Sequence, residues 1–288
     1  MNADYLHKFM FPELDIRGHL VLLDQSLADA TAFAEYPDTV YELLAQSLCT
    51  TVLLSATLKI EGSTSLQARS TGPVSMLMAE ANHRHEIRGI ARFSETPASS
   101  RINEAFADKA TLAITLSPEK GQRYQGIVAL SHPTLAACVE DYFERSEQLP
   151  THLWLFQHKA ADSAQTPGRM RTGGLLIQCL PTDDRARQAL EWERIGHLAN
   201  TLKVEEVFDL PVVDILYRLF HEDDIQLLSS DKVRFSCSCS EQRFLDALHS
   251  LPVDERESMR KEQEVIDLTC QFCGKAYHLP SSSLAPAG

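Results

Sequence analysis

The sequence predicts an α+β protein: a mixed α/β N-terminal core, a helical stretch after it, and a small C-terminal unit held by four cysteines. Three observations carry that prediction. Strand-period and helix-period segments interleave from the N-terminus to Pro181, the pattern of sheets with helices packed on them. From 181 to 232 the chain carries 12 Asp or Glu against 6 Lys or Arg, with sparse apolar residues at helical spacing. Beyond it, Cys237-Ser-Cys239 and Cys270-Gln-Phe-Cys273 place four of the seven cysteines within 37 residues.

In chain order, Gly18 to Leu23 reads as a buried strand after the Arg17-Gly18 break. Between Pro37 and Lys59, Val40, Leu43, Leu44, Leu48, Val52 and Leu54 recur at near-helical spacing, which predicts a long, largely buried helix with Cys49 in its core face. Alternating segments at Leu66–Arg69, Ile87–Phe93 and Leu112–Leu116, with turn residues between them, predict strands of an antiparallel sheet, and Arg123 to Leu130 predicts another. Leu135, Cys138, Val139, Tyr142 and Phe143 then follow the i, i+3, i+4, i+7, i+8 rhythm of an amphipathic helix over Thr134–Leu149, with Glu140, Asp141, Glu144 and Arg145 facing outward. Pro150 stops it. Thr151–Phe156 and Gly174–Leu180 supply two more strands around a polar loop containing Pro167 and Gly168, and Cys138 and Cys179 are explained by packing. Ala189, Trp192, Ile195, Leu198 and Ala199 form a narrow helical stripe, and Val212, Ile215, Leu216, Leu219 and Phe220 a stronger one after Pro211. Helices this short are marginal in water without a docking surface, so this stretch is expected to be conditional structure.

At 288 residues and 44% hydrophobic composition the chain has material for one sizeable core and at least one smaller unit. No segment reaches the roughly 20 uninterrupted apolar residues of a membrane span. A net charge of -13 disfavours nucleic-acid partners, whose affinity rests on clustered Lys and Arg. The N-terminus shows no basic region followed by an apolar run, so a cytosolic, reducing location is expected. There, paired cysteines usually signal metal binding or redox chemistry rather than permanent bridges.

Thiolates at C-x-C and C-x-x-C spacing each chelate one face of a tetrahedral ion, and two such pairs complete an all-thiolate shell. Cys237, Cys239, Cys270 and Cys273 are therefore the candidate ligands of one structural zinc ion. The competing reading, four small hydrophobes in a core, does not account for two doublets flanking one small unit. That unit, about 233 to 288, has too few apolar residues for a strong core and needs a staple. Structural zinc is worth about 10–16 kcal/mol of apparent binding energy in finger-like peptides, so its loss is expected to unfold the unit.

Other candidate chemistry is weaker. His83 and His85 form an H-x-H, but no third ligand is evident nearby. Glu140, Asp141 and Glu144 read as a solvated acidic face, and the chain has no nucleophile elbow, phosphate loop or dinucleotide fingerprint. Three rival functions use the cysteines. A zinc-ribbon nucleic-acid binder fits poorly with 8 acidic against 6 basic side chains in residues 233–288. A thiol-disulfide oxidoreductase built on Cys270 and Cys273 leaves the second doublet unexplained, and a zinc hydrolase needs an open coordination position. His278 lies close enough in sequence to replace one ligand, although a surface role suits it better.

The cysteine doublets, Tyr124-Gln-Gly-Ile-Val128, the run Thr134 to Phe143 continuing through Arg145-Ser-Glu-Gln-Leu-Pro150, and Tyr217-Arg-Leu-Phe-His-Glu222 together resemble the redox-regulated thirty-three-kilodalton heat-shock chaperone family. Arg17-Gly18, Ala56-Thr-Leu-Lys59 and Gly173-Gly174 are similar too, and the resemblance spans almost the whole chain. It implies an α/β core over 1–182, a metastable helical linker over 183–232 and a zinc-binding redox switch over 233–288. The implied function is an ATP-independent holdase of the bacterial cytosol rather than an enzyme, one that keeps unfolding client proteins from aggregating. The resemblance further implies that the reduced, zinc-bound form is inactive. Oxidation would form Cys237–Cys239 and Cys270–Cys273 disulfides, release zinc, unfold the switch and linker, and favour a homodimer. A C-x-C bridge sits near the upper limit of disulfide Cα spacing, which suits a readily reversed bond.

Overall fold

A computed structural model describes residues 3–58, 61–107, 109–159 and 169–284. Lys59 and the Pro167-Gly168 loop, singled out above, lie outside the described residues. The chain divides into two compact units, Met1–Phe235 and Ser236–Gly288.

In the first unit the order is β1 (Tyr5–Phe11), β2 (Ile16–Leu23), α1 (Gln25–Thr31), α2 (Asp38–Ala56), β3 (Gly62–Arg69), β4 (Val74–Asn82), β5 (Glu86–Phe93), α3 (Ile102–Ala105), β6 (Thr111–Pro118), β7 (Tyr124–Ala129), α4 (Leu135–Tyr142), β8 (Thr151–Lys159), β9 (Met170–Cys179), α5 (Arg185–Ala199), α6 (Val204–Asp209), α7 (Val212–Phe220), β10 (Gln226–Lys232) and β11 (Arg234–Phe235). Two sheets result, one ordered β10-β1-β2-β9-β8 and the other β11-β5-β4-β3-β6-β7. All their ladders are antiparallel except β11 on β5.

Helix α2 packs against strands of both sheets, which is why its apolar residues run all round it and 12 of its 19 residues are buried. Two glycines allow that close approach. A Cβ on Gly89 in β5 would stand 3.0 Å from Leu44 and Leu48, and one on Gly174 in β9 would stand 2.7 Å from Cys49 Sγ and Leu53. The five-stranded sheet has a second covered face. There Phe9, Phe11, Ile16, Leu20, Leu22, Leu175 and Ile177 pack with Ile195, Ala199, Val207, Phe208, Ile215, Leu216, Leu219 and Phe220 of α5, α6 and α7. Burial on both faces explains why β2 and β9 read as near-continuous apolar runs rather than alternating ones.

The predicted helices and strands recur, with differences that include the following. The helix expected over 37–59 spans Asp38–Ala56. The helix expected over Thr134–Leu149 ends at Tyr142 and widens into a π-turn over Phe143–Glu147, with Gln148 left-handed at φ 55. A tertiary contact favours the widening: the Tyr142 ring lies where a Cβ on Gly126 would be, 2.4 Å from its Cε2, and its hydroxyl donates to Glu147. Residues 183–232 are helical only as far as Phe220; Gln226–Lys232 pairs with β1 as an edge strand. Strand β4 was not expected, because Met-Leu-Met-Ala-Glu-Ala is helix-favouring composition that only the ladders to β3 and β5 turn into a strand.

The second unit contains α8 (Glu241–His249), α9 (Val253–Glu262) and a hairpin of β12 (Val265–Thr269) with β13 (Ala276–Pro280). Leu248, Ile266, Leu279 and Leu284 are its buried apolar cluster, with Phe244, Leu245, Leu251, Met259 and Leu268 half-buried around it. No side chain of α9 is buried.

Candidate metal centre

Each cysteine doublet is positioned by its local backbone. Cys270 follows directly on β12, and the four residues after it form the hairpin turn. The Cys270 N–H donates to Lys275 O at 2.9 Å and the Gly274 N–H to Cys270 O at 2.8 Å. The turn needs a left-handed residue and Gly274, at φ 67, supplies it without a Cβ penalty. Cys237 and Cys239 lie in extended chain just before α8, whose first turn is capped by Ser240, its hydroxyl accepting from Arg243 N at 3.2 Å. The Arg243 guanidinium in turn donates to Ser238 Oγ at 2.5 Å, bracing the residue between the two cysteines.

The four sulfurs converge. Cys237 Sγ lies 3.7 Å from Cys270 Sγ, Cys239 Sγ lies 3.4 Å from Cys273 Sγ, and all four lie within 4.8 Å of one another. Metal–sulfur bonds of about 2.3 Å in a tetrahedron space the sulfurs roughly 3.8 Å apart, so the cluster could hold a metal ion with little movement. Cys270 is buried and the other three are half-buried.

The electrostatics of the four differ. Burial raises the Cys237 thiol against the lowering pull of the Cys239 backbone amide, and it pushes Cys273 up to about 12. Burial also works to raise Cys239, but the Tyr277 hydroxyl and the other three sulfurs outweigh it and bring that thiol to about 7. Tyr277 donates to Cys239 Sγ at 3.1 Å, and its own phenol is raised by that bond. Sequence reading passed over Tyr277; its position on β13, four residues past Cys273, was the available signal.

The remaining candidates are not drawn into this centre. His278 pairs with Asp267 across the hairpin at 2.6 Å and is exposed. His83 lies beside Gly62 N at 3.1 Å, while His85 is buried near Lys8 and Asp231. Glu140 is half-buried and accepts from Leu153 N of edge strand β8 at 2.7 Å. Cys49, Cys138 and Cys179 are buried in the first unit, where burial raises all three thiols. Among the described residues, no helix is long and apolar enough to cross a membrane.

Fold and centre together define a two-unit α+β protein whose small unit carries a four-thiol cluster fit for a metal. Comparison with known proteins takes this further. The family described as Hsp33 protein matches residues 4–280. A protein of Hahella chejuensis named 33 kDa chaperonin is 45% identical over 278 residues, 96% of this chain and 94% of that protein. A Shewanella woodyi protein of the same name is 39% identical, over 99% of this chain and 96% of that protein. The crystal structure of the 33 kDa chaperonin from Thermotoga maritima superposes with a TM-score of 0.76 at 20% identity, covering 98% of this chain and 96% of that one, a likeness of fold. The chain belongs to the Hsp33 family, and with it to the chaperones.

Proposed function

We propose that the protein is a redox-controlled, ATP-independent holdase that binds unfolding proteins in the bacterial cytosol and is not an enzyme. The observation that carries this reading is the convergence of four thiols, all within 4.8 Å, in a unit whose buried apolar cluster is, among the described residues, four residues. Cys237, Cys239, Cys270 and Cys273 are the ligands of one zinc ion in this reading. Zinc bound there keeps the four sulfurs deprotonated and contributes the folding free energy that a small core lacks.

In the reduced protein the four cysteines tie the hairpin turn to the segment before α8, and the aliphatic cluster stays packed. Peroxide together with heat, or hypochlorous acid, oxidises the sulfurs and ends that tie. The family resemblance supports Cys237–Cys239 and Cys270–Cys273 as the pairs, although in the reduced arrangement the close sulfur contacts of 3.7 and 3.4 Å run between the doublets. With the tie gone the switch unit unfolds.

The linker opens next. Helices α5, α6 and α7 are 15, 6 and 9 residues long and depend on their docking face. Undocking bares Phe208, Leu216, Leu219 and Phe220 together with Phe11, Leu20 and Ile177 on the sheet, an apolar surface for client segments and for a second oxidised copy. Reduction and zinc rebinding reverse the sequence of events.

The test is light scattering of a heat-aggregating client protein, with zinc-loaded reduced protein compared against the same protein after peroxide treatment at elevated temperature, zinc release being followed in both arms. Suppression by the oxidised form alone, with zinc leaving as activity rises, is the expected result. Oxidation that changes neither zinc content nor aggregation rejects the switch and leaves the cysteines a static site.

A further inference from the structure

The sulfur cluster has a neighbour with chemistry of its own. Tyr277 sits on β13 opposite Leu268 and is only 8% exposed. Its ring is held on two sides: Phe244 of α8 packs at 4.9 Å between centroids, and Lys275 Nζ lies 5.0 Å from the ring centroid. Held there, its hydroxyl reaches across to Cys239 Sγ, on the other doublet, at 3.1 Å. A phenylalanine would fill the same space, so packing alone does not account for the hydroxyl. The ammonium over the ring withdraws electron density and makes the phenol a better donor.

We infer that Tyr277 is a positioning residue for the redox step: its O–H···S bond lowers the nucleophilicity of Cys239 toward an oxidant. This inference rests on the four-cysteine switch proposed above. Hydrogen bonds to charged sulfur are among the stronger kinds, and groups behind metal ligands tune ligand basicity. With hydrogen peroxide, a thiolate sulfur attacks one peroxide oxygen. The O–O bond breaks, the sulfur loses two electrons to become a sulfenic acid, and the departing oxygen takes up a proton to leave as water. A second thiolate then forms the S–S bond and expels the sulfenic oxygen, which leaves as water with a further proton. A hydroxyl already donating to the attacking lone pairs slows the first of these steps. Attack by Cys239 is therefore slower than it would be without the hydroxyl. Tyr277 raises the oxidant dose at which the switch fires.

The experiment compares full-length wild type, Tyr277→Phe and, as a packing control, Phe244→Leu. Three readouts are taken: the thiolate-to-metal charge-transfer band of the cobalt(II)-loaded proteins, the rate of zinc release in hydrogen peroxide followed with a chromophoric chelator, and mass-spectrometric mapping of trapped sulfenic acid. Removing one net hydrogen bond predicts release about threefold to tenfold faster in Tyr277→Phe. The charge-transfer band should move to lower energy, and label on Cys239 should rise above its wild-type level, with Phe244→Leu showing neither the band shift nor the rise. Equal release rates and superimposable cobalt bands for wild type and Tyr277→Phe overturn the role of the hydroxyl while leaving the metal switch standing. A band shift of equal size in Phe244→Leu assigns the effect to ring packing and overturns it as well. A wild type that binds neither cobalt nor zinc, or that keeps its zinc in peroxide, overturns this inference together with the switch.

Discussion

Gly173→Ala isolates the docking of the helices on the sheet from the stability of the sheet itself. Gly173 and Gly174 are neighbours on β9 and face opposite sides. A Cβ at 173 would lie 2.7 Å from Val207 Cγ1 on α6, whereas one at 174 would lie 2.7 Å from Cys49 Sγ and Leu53 Cδ1 on α2. Carbon atoms rest about 3.5–4.0 Å apart, so Val207 has to retreat by roughly 1 Å. It has little room, being 3% exposed and next to Phe208, which is fully buried with the Arg171 guanidinium 5.0 Å above its ring. Overpacking of this kind costs about 1–3 kcal/mol, partly offset by the about 0.4–1 kcal/mol that alanine gains over glycine through the unfolded chain. A net penalty near 1–2 kcal/mol raises opening of α5–α7 about fivefold to thirtyfold. The assay is native-state amide hydrogen exchange on reduced, metal-loaded protein. Amides of residues 185–220 should exchange faster in Gly173→Ala, those of β3 to β7 should not, and Gly174→Ala should weaken protection across the first unit. If the two alanines give the same pattern, or if Gly173→Ala leaves 185–220 unchanged, the separation of the two faces is wrong.

Chelation of the reduced protein is expected to abolish exchange protection over 236–284 while the sheets of the first unit keep theirs; retained protection in the small unit would show that its aliphatic cluster suffices alone. Gly274→Ala places a Cβ at φ 67 in the hairpin turn, a cost of about 1–2 kcal/mol, so metal affinity in a competition titration should fall about fivefold to thirtyfold, and an unchanged affinity contradicts the turn's role. Acid should weaken the first unit through His19. Burial, helped by the charges of Arg17, Lys8 and His85, holds its pKa at about 3 against 6.5 in the unfolded chain. Above 6.5 both states are neutral and the residue contributes nothing; as pH falls from 6.5 toward 3 only the unfolded chain binds the proton, and stability drops by about 2 kcal/mol near pH 5. His19→Leu should flatten the loss of stability measured by urea unfolding between pH 7 and 5, and an unaltered slope counts against the assignment.

The candidate site was legible because its information is local. A C-x-C and a C-x-x-C name four candidate ligands with no knowledge of the fold, since chelation geometry is set by spacing along the chain. The long helix α2 was legible for a related reason, its apolar residues being too many for one face. Phase and composition therefore determine the α+β class, the buried helix, the paired thiols and the helical stripes after Pro181.

Other features depend on residues far apart in sequence. Tyr277 acquires its role only when the hairpin swings its hydroxyl onto Cys239, and the Tyr142 ring at the head of the π-turn fits only because Gly126 has no side chain. Helix α1 has no capping side chain of its own; the Asp4 carboxylate, twenty residues earlier, accepts from the amides of Asp24, Gln25 and Ser26. Segment 226–232 has no strand alternation to announce it and becomes one by pairing with β1. A backbone or hydroxyl group satisfied across the fold leaves no periodic trace in the chain, so the tertiary structure alone decides where such partners meet.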